Sequence, residues 1–396
     1  MVVAARVRAQ LEAETEQMLA ATELLARVDS GVDAPGGIER VCDLLGEQLA
    51  EGGFQTSPGP VGGLGAELRL GDGPRLLVVG HADTVWPAGT AACWPPRRDG
   101  GLLSGPGVGD MKGCLVMAAH AIAAARRADE TAVDGIGTIE LLVVADEEQG
   151  SVASREWIED RARTAGACLG LEAGWPGGGV VVSRGVVGAL GVEAVGETAH
   201  CAGHEGRGAS AVAALAPLVT ELESLSRPGD GVLVSVGVFN GGVARQVVPD
   251  RARLEIDLRA PTAAAGAGVL AAIESIVDAA GTGAVGVTLG GGITRPAFPS
   301  EMSDSLWKLA ARRALELAIP LAAVHSRGGS DASFAAALGV PTLDGLGPIC
   351  HDSCARGERI EIDSLAQRGA LMALLICDLA SSWRQARASG KVDAPA

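Results

Sequence analysis

The sequence predicts an α/β/α protein with a mainly parallel sheet, interrupted by a smaller α+β domain of the split βαβ kind. Three observations carry this. Apolar segments of strand length alternate with helical segments through the first half of the chain. Near residue 186 the pattern changes to longer strands of alternating polarity. Near residue 297 it returns to helices around one short apolar strand. The predicted domains are 1–185 together with 297–396, and an insert over 186–296. A chain of 396 residues suits two domains at roughly 100–200 residues each.

Residues 3–30 and 37–51 read as helices. "RLLVVGHADTV" (75–85) is an apolar strand that runs into His81 and Asp83. "KGCLVMAAHAIAAARRA" (112–128) is an Ala-rich helix that follows the Gly-rich "GPGVGD" and its Asp110. "IGTIELLVVADEE" (136–148) is a second buried strand, ending in Asp146, Glu147 and Glu148. Residues 154–162 are helical, and "ACLGLEAG" (167–174) is a third strand with Glu172 at its end. In the insert, strands over 188–200, 233–242, 251–261 and 284–290 are separated by helices over 208–225 and 264–281, the split βαβ order. The chain then returns through a helix (300–317), a loop (325–339), a short strand (340–346) and a long helix (364–385).

Bulk composition narrows the function. A net charge of −16 argues against a nucleic-acid surface, which needs a basic patch. No run of roughly 20 apolar residues is expected to span a membrane, and the N-terminus lacks the apolar core of a signal peptide. The eight cysteines are scattered, which predicts reduced thiols and a cytoplasmic protein. There is no tyrosine, so no catalytic role can rest on one.

Ligands in open α/β sheets sit beyond the carboxyl ends of the strands. His81, Asp83, Glu147, Glu148 and Glu172 all fall at such ends, and Asp110 opens a helix. His81, Asp110, Glu148, Glu172 and a late histidine form a mixed imidazole and carboxylate set of the kind that binds zinc, cobalt or manganese. The set is large enough for two ions if one carboxylate bridges, and two ions can hold and polarise a water for hydrolysis. Asp83 is placed to accept the second imidazole N–H of His81 and fix the ring. Glu147 and Glu148, adjacent on an extended segment, should point apart, so that one ligates metal while the other acts as general base. Asp146 is left as a solvated or capping residue.

"GHADTV", "GPGVGDMKG", "ADEEQGS", "GLEAG", "AHCAG" and "NGGVARQVVPDRARLEIDLR" resemble, in order and spacing, the M20 metallopeptidase family. That family includes glutamate carboxypeptidases, acetylornithine and succinyl-diaminopimelate deacylases, and aminoacylases. Glu rather than Asp at 172 looks most like the glutamate carboxypeptidase branch. The resemblance implies that His81 and Glu172 bind one zinc, that Asp110 bridges, and that Glu148 and a C-terminal histidine bind the second. It makes Glu147 the general base and proton shuttle. It makes the insert a dimerisation lid, with His200 reaching the site of the neighbouring subunit to polarise the scissile carbonyl. Asn240 and Arg259 are implied to hold a substrate carboxylate, with Arg295 as a further candidate.

One departure stands out. In "GLGPICHDSCARGERIEI", His351 lies about three residues earlier than the family spacing to Glu358 requires, and an ungapped match puts Cys354 there. His351 is taken as the ligand because loop lengths vary easily and the family uses histidine. Cys354 stays open as the alternative, since a thiolate also binds zinc. The implied activity is a homodimeric, two-zinc amide hydrolase, with cobalt or manganese as alternative metals. It would act on a small molecule or peptide with a free carboxylate and release a C-terminal glutamate or similar residue. An N-acyl amino acid deacylase and a non-catalytic metal-binding homologue are the alternatives.

Overall fold

The computed structural model describes residues 2–129, 131–202, 207–280 and 283–389. The chain divides into two compact units. The first comprises the chain up to Ser183, Phe298–His325 and the chain from Ser330 onward; the second comprises Arg184–Ala297 with Ser326–Gly329.

Among the described residues, the largest sheet of the first unit has six strands, in the order Gln55–Pro58, Leu64–Arg69, Thr138–Val144, Arg75–His81, Ala165–Gly170 and Thr342–Leu343. The last four run parallel, and the first two add an antiparallel edge. The three central strands are largely apolar because both of their faces are covered, and the charge within them, buried Glu140, is paired with Arg75 and Arg161. Leu76, Val78, Ile139, Leu141 and Leu169 join one core with the helices Val2–Ala13, Gly113–Ala128 and Ile362–Ala388. Leu77, Val79, Leu142, Val144 and Cys168 join the other, with the helices Arg155–Ala162 and Ala332–Ala337. Alternate residues of one strand therefore serve two cores.

Several local expectations are corrected. The helix predicted over 3–30 is two helices, Val2–Ala13 and Thr15–Ala26. At the break the Glu14 N–H is shared between the carbonyls of Gln10 and Leu11, and the Thr15 hydroxyl also donates to Leu11. The edge strand Gln55–Pro58 was hidden from sequence reading because it is exposed throughout. The expected loop over 325–339 contains the short helix Ala332–Ala337, whose Phe334 and Ala335 are core residues.

The second unit is a four-stranded antiparallel sheet, ordered Leu233–Gly241, Arg251–Ala260, Val186–Val195 and Gly286–Arg295. It is covered on one face only. Leu190, Val192, Leu254, Ile256 and Leu258 pack with Leu215 and Leu222 of helix Ala211–Glu223 and with Val269 and Ile273 of helix Ala263–Ala280. Between the buried positions, Arg251, Arg253, Glu255 and Asp257 are exposed, the period-two pattern of a half-covered sheet. Arg184 ties Ser326–Gly329 to this unit, donating from Nη1 to the carbonyls of Gly328 and Gly329 at 3.1 Å each.

Two segments among the described residues are long and apolar enough to cross a membrane, contrary to the composition-based expectation: Val108–Ala128 and Ala263–Ala280. The first is mostly buried in the first unit's core, and the second turns Val269, Ile273 and Val277 onto its sheet.

Candidate metal centre

The strand Arg75–His81 ends the site's first side chain in a tight corner. A Cβ on Gly80 would meet Met111 Sδ at 2.8 Å and Leu115 Cδ2 at 2.9 Å, so the strand lies close against the Asp110 segment and a larger residue would have to push these side chains aside. The backbone N–H of His81 donates to Met111 Sδ at 3.1 Å. On the other side of the ring, His81 Nδ1 lies 3.0 Å from the Asp83 carbonyl and 3.3 Å from Asp83 Oδ1. Asp83 thus orients the imidazole, and its Oδ2 also accepts the Glu148 N–H at 2.9 Å. One carboxylate holds two neighbouring strand ends in register.

Asp110 sits in a wide turn, Val108–Lys112, ahead of helix Gly113–Ala128. Its peptide bond to Met111 is cis. Glu358, buried, holds this turn: its Oε1 accepts the N–H groups of Gly109 at 2.9 Å and Asp110 at 3.1 Å, and its Oε2 faces the Trp86 indole N–H at 3.4 Å. Burial raises the Glu358 carboxyl to about 7 even though the two backbone N–H groups oppose the shift. Sequence reading used Glu358 only as a spacing marker and missed this role. Accepting from the backbone leaves no signature in residue type.

The two oxygens of Asp110 face different partners. Oδ1 lies 3.1 Å from His81 Nε2. Oδ2 accepts from Ser353 Oγ at 2.6 Å and lies 3.2 Å from Cys354 Sγ. The ligand atoms of His81, Asp110 and Glu148 all fall within 4.8 Å of one another. Glu172 lies two residues beyond its strand and outside this tight trio, yet the charges of Asp110, Glu147 and His81 reach it. Glu147 and Glu148 stand on a single tight turn, Glu147–Gln149, and not on an extended segment as expected. Asp146 is buried at the start of that turn: its carbonyl accepts from the N–H groups of Gln149 at 3.2 Å and Ser151 at 2.8 Å, and its Oδ2 accepts from Ala153 N–H at 2.8 Å, beyond the turn.

The electrostatics are those of a crowded anionic pocket. Burial raises Glu148 to about 8; His81 opposes this, while Asp110, Glu147 and Asp83 add to it. Glu172 is pushed well above the carboxylate range by burial and then by Asp110 and Glu147. For Asp110 burial works upward, but the hydrogen bond with His81 outweighs it and holds the carboxyl below its ordinary range. For His81 burial works downward, but hydrogen bonds to Asp110 and Asp83 win and hold the imidazole well above its ordinary value. One imidazole faces a surplus of acids, which is the environment a cation relieves.

The donors fit a metal ion in kind and in spacing. Nitrogen and oxygen donors about 2.0–2.2 Å from one tetrahedral ion lie about 3.4 Å apart. His81 Nε2 and Asp110 Oδ1, at 3.1 Å, are close to that.

His351 is not brought to this cluster. It lies in the short strand Cys350–His351, and its Nε2 is 2.9 Å from Glu361 Oε1. Cys354, the alternative left open by the sequence, has its Sγ 3.2 Å from Asp110 Oδ2 and 4.0 Å from Glu148 Oε1.

The remaining expected residues belong to the second unit. His200 is exposed, and its Nδ1 accepts the Ala202 N–H at 3.1 Å. Asn240 is exposed near the end of strand Leu233–Gly241, opposite Arg253. Both guanidinium contacts of Arg259 go to Asp257, at 2.8 Å each. Arg295 is buried, with Nη1 donating to the Thr294 carbonyl at 3.3 Å.

Residues 77–378 match the profile of peptidase family M20/M25/M40. Carboxypeptidase G2 of Pseudomonas sp. (strain RS-16) is 27% identical over 385 residues, covering 92% of this chain and 90% of its own length. A succinyl-diaminopimelate desuccinylase of Rhizorhabdus wittichii is 32% identical over 222 residues, and the chain spans only 56% of that relative. Among solved structures, the M20 family metallo-carboxypeptidase Sso-CP2 of Sulfolobus solfataricus superposes with a TM-score of 0.75 at 16% identity, covering 92% of this chain and 99% of that one. Aminopeptidase PepT of Bacillus cereus gives 0.71 at 23% identity, covering 92% and 99%. At these identities the structural likenesses speak for the fold. The family match takes in His81, Asp110, Glu148 and the turn that carries Cys354, and by it the chain belongs to peptidase family M20/M25/M40, a family of metal-dependent peptidases and amidohydrolases.

Proposed function

We propose that the protein is a two-zinc carboxypeptidase that cleaves an amide bond next to a free carboxylate and releases a C-terminal glutamate or similar residue. The observation that carries this reading is the convergence of His81, Asp110 and Glu148 within 4.8 Å at the carboxyl ends of the central strands, with Glu147 beside them. The likeness to a carboxypeptidase over nine-tenths of both chains favours this substrate class. When bound, zinc supplies the Lewis acidity that makes a water nucleophilic near neutral pH and polarises a carbonyl.

The chain's own residues do the rest. His81, Asp110, Glu148 and Glu172 hold the ions, and Asp83 fixes the His81 ring so that Nε2 faces Asp110. Glu147 takes the proton from the attacking water and delivers it to the departing amine, so that no charged amide nitrogen has to leave. The proton returns to bulk with the product, and the carboxylate is restored. His200 polarises the scissile carbonyl within a homodimer. Asn240 and Arg259 bind the substrate carboxylate, Arg259 exchanging its hold on Asp257 for the substrate.

A second reading is an N-acyl amino acid deacylase, favoured by the 32% identity to desuccinylases over part of the chain. Both readings break the same kind of bond. The discriminating experiment strips the protein with a chelator, restores it with zinc, and assays paired substrates: acyl-peptides ending in glutamate, the same peptides amidated at the C-terminus, and N-succinyl or N-acetyl diamino acids. The carboxypeptidase reading expects hydrolysis of the free-acid peptides only, restored by zinc. Turnover confined to the N-acyl diamino acids would move the assignment to a deacylase, and turnover without metal would remove both.

A further inference from the structure

The second metal position lacks the histidine that the family resemblance leads one to expect, and another donor stands there. We infer that Cys354, through its Sγ, completes the second metal position with Asp110 Oδ2 and Glu148, and that His351 is not a ligand. This rests on the reading of the site as a metal centre.

The spacing is specific. A thiolate about 2.3 Å and a carboxylate oxygen about 2.0–2.2 Å from one tetrahedral ion lie about 3.6 Å apart. Cys354 Sγ is 3.2 Å from Asp110 Oδ2 and 4.0 Å from Glu148 Oε1, values that bracket this figure. Asp110 divides its oxygens accordingly, with Oδ1 toward His81 and Oδ2 toward Cys354, which is how a carboxylate shared between two ions is disposed.

The turn that brings the thiol there is built at a cost. Asp352 and Cys354 both take left-handed backbone, at φ 54° and 58°, a conformation unusual for a residue with a Cβ. Ser353, between them, donates to the same Asp110 oxygen at 2.6 Å and pins the turn over the site. His351 is committed elsewhere. Its strand pairs with Arg359–Glu361, and its imidazole meets Glu361. Cys350, the other cysteine of the segment, is buried, with its thiol toward the His351 carbonyl.

Binding forms a sulfur–metal bond and releases the thiol proton to solvent, with no change of oxidation state. A thiolate at this position favours borderline and soft ions such as zinc, cobalt(II) and cadmium over manganese and magnesium.

The test uses the full chain, freed of metal and titrated with cobalt(II). Bound cobalt is counted per chain, and the near-ultraviolet thiolate-to-cobalt charge-transfer band is recorded. The inference expects two cobalt ions and the band in the unaltered protein and in His351→Ala. It expects the loss of one ion and of the band in Cys354→Ser. It expects two ions without the band in Cys354→His, a variant that also guards against mistaking misfolding for lost ligation. Cys350→Ser should keep the band. Two ions without a band in the unaltered protein, or the loss of an ion from His351→Ala alone, would overturn the Cys354 assignment and leave the metal reading intact. No retained cobalt in the unaltered protein would overturn both.

Discussion

The sheets of the two units handle their side chains in opposite ways. In the first unit the central strands bury both faces, and the charge carried within their length, Glu140, is buried and paired with Arg75 and Arg161. Polar groups appear where the strands end, and there they crowd: His81, Glu147, Glu148 and Glu172 are delivered to one edge of the sheet by three neighbouring strands. In the second unit one face is open, and charged residues such as Arg253 and Asp257 alternate with core residues along the strands. A charge there is the ordinary outcome of water on one side. A charge at the end of a doubly buried strand needs a partner. The same residue types therefore carry different information in the two units.

This contrast is open to perturbation. The largest expected effect on folding is in the first sheet. Leu77→Ala, on a strand buried on both sides, should cost about 2–5 kcal/mol, read as a fall in the denaturation midpoint of the first unit. A cost under about 0.5 kcal/mol would mean that this strand is not packed from both faces. Next is the support of Asp110. Glu358→Ala leaves the buried N–H groups of Gly109 and Asp110 without their acceptor and should weaken metal binding by roughly 10–100-fold, measured by competition with a chelator. Unchanged affinity would reduce Glu358 to a packing residue. The smallest effect belongs to the open face of the second sheet. Glu193→Ala should shift stability by no more than about 0.5 kcal/mol. A larger loss would show that this face is not simply solvated.

The same contrast explains what could be read from the sequence. The parallel sheet was legible because its strands are continuous apolar runs, and the site was legible because His81, Asp110, Glu148 and Glu172 interrupt such runs or the loops between them. The inserted sheet was legible from its alternation. What escaped depends on backbone course and not on residue type. His351 and Cys354 stand three residues apart in the sequence; the spacing to Glu358 pointed to Cys354, while the family's use of histidine pointed to His351. The left-handed turn at Asp352 and Cys354 decides which of them meets Asp110. Glu358 was missed because its work is done on backbone N–H groups. Asp146 looked like a third member of the acidic cluster, but it is buried and its carboxylate accepts the Ala153 N–H just beyond the turn that presents Glu147 and Glu148. For His200, Asn240 and Arg259 the sequence offered only the resemblance, because a polar residue in contact with water, such as the exposed His200 and Asn240, is what water alone would select.

The central claim is that the acids at the ends of the buried strands divide their labour, some holding metal while Glu147 moves the proton. The most direct measurement compares Glu147→Gln with the unaltered protein for both zinc content and turnover of a peptide ending in glutamate. The account predicts zinc content unchanged and kcat lower by roughly 10²–10⁴-fold. Full turnover in the variant with zinc still bound would contradict it.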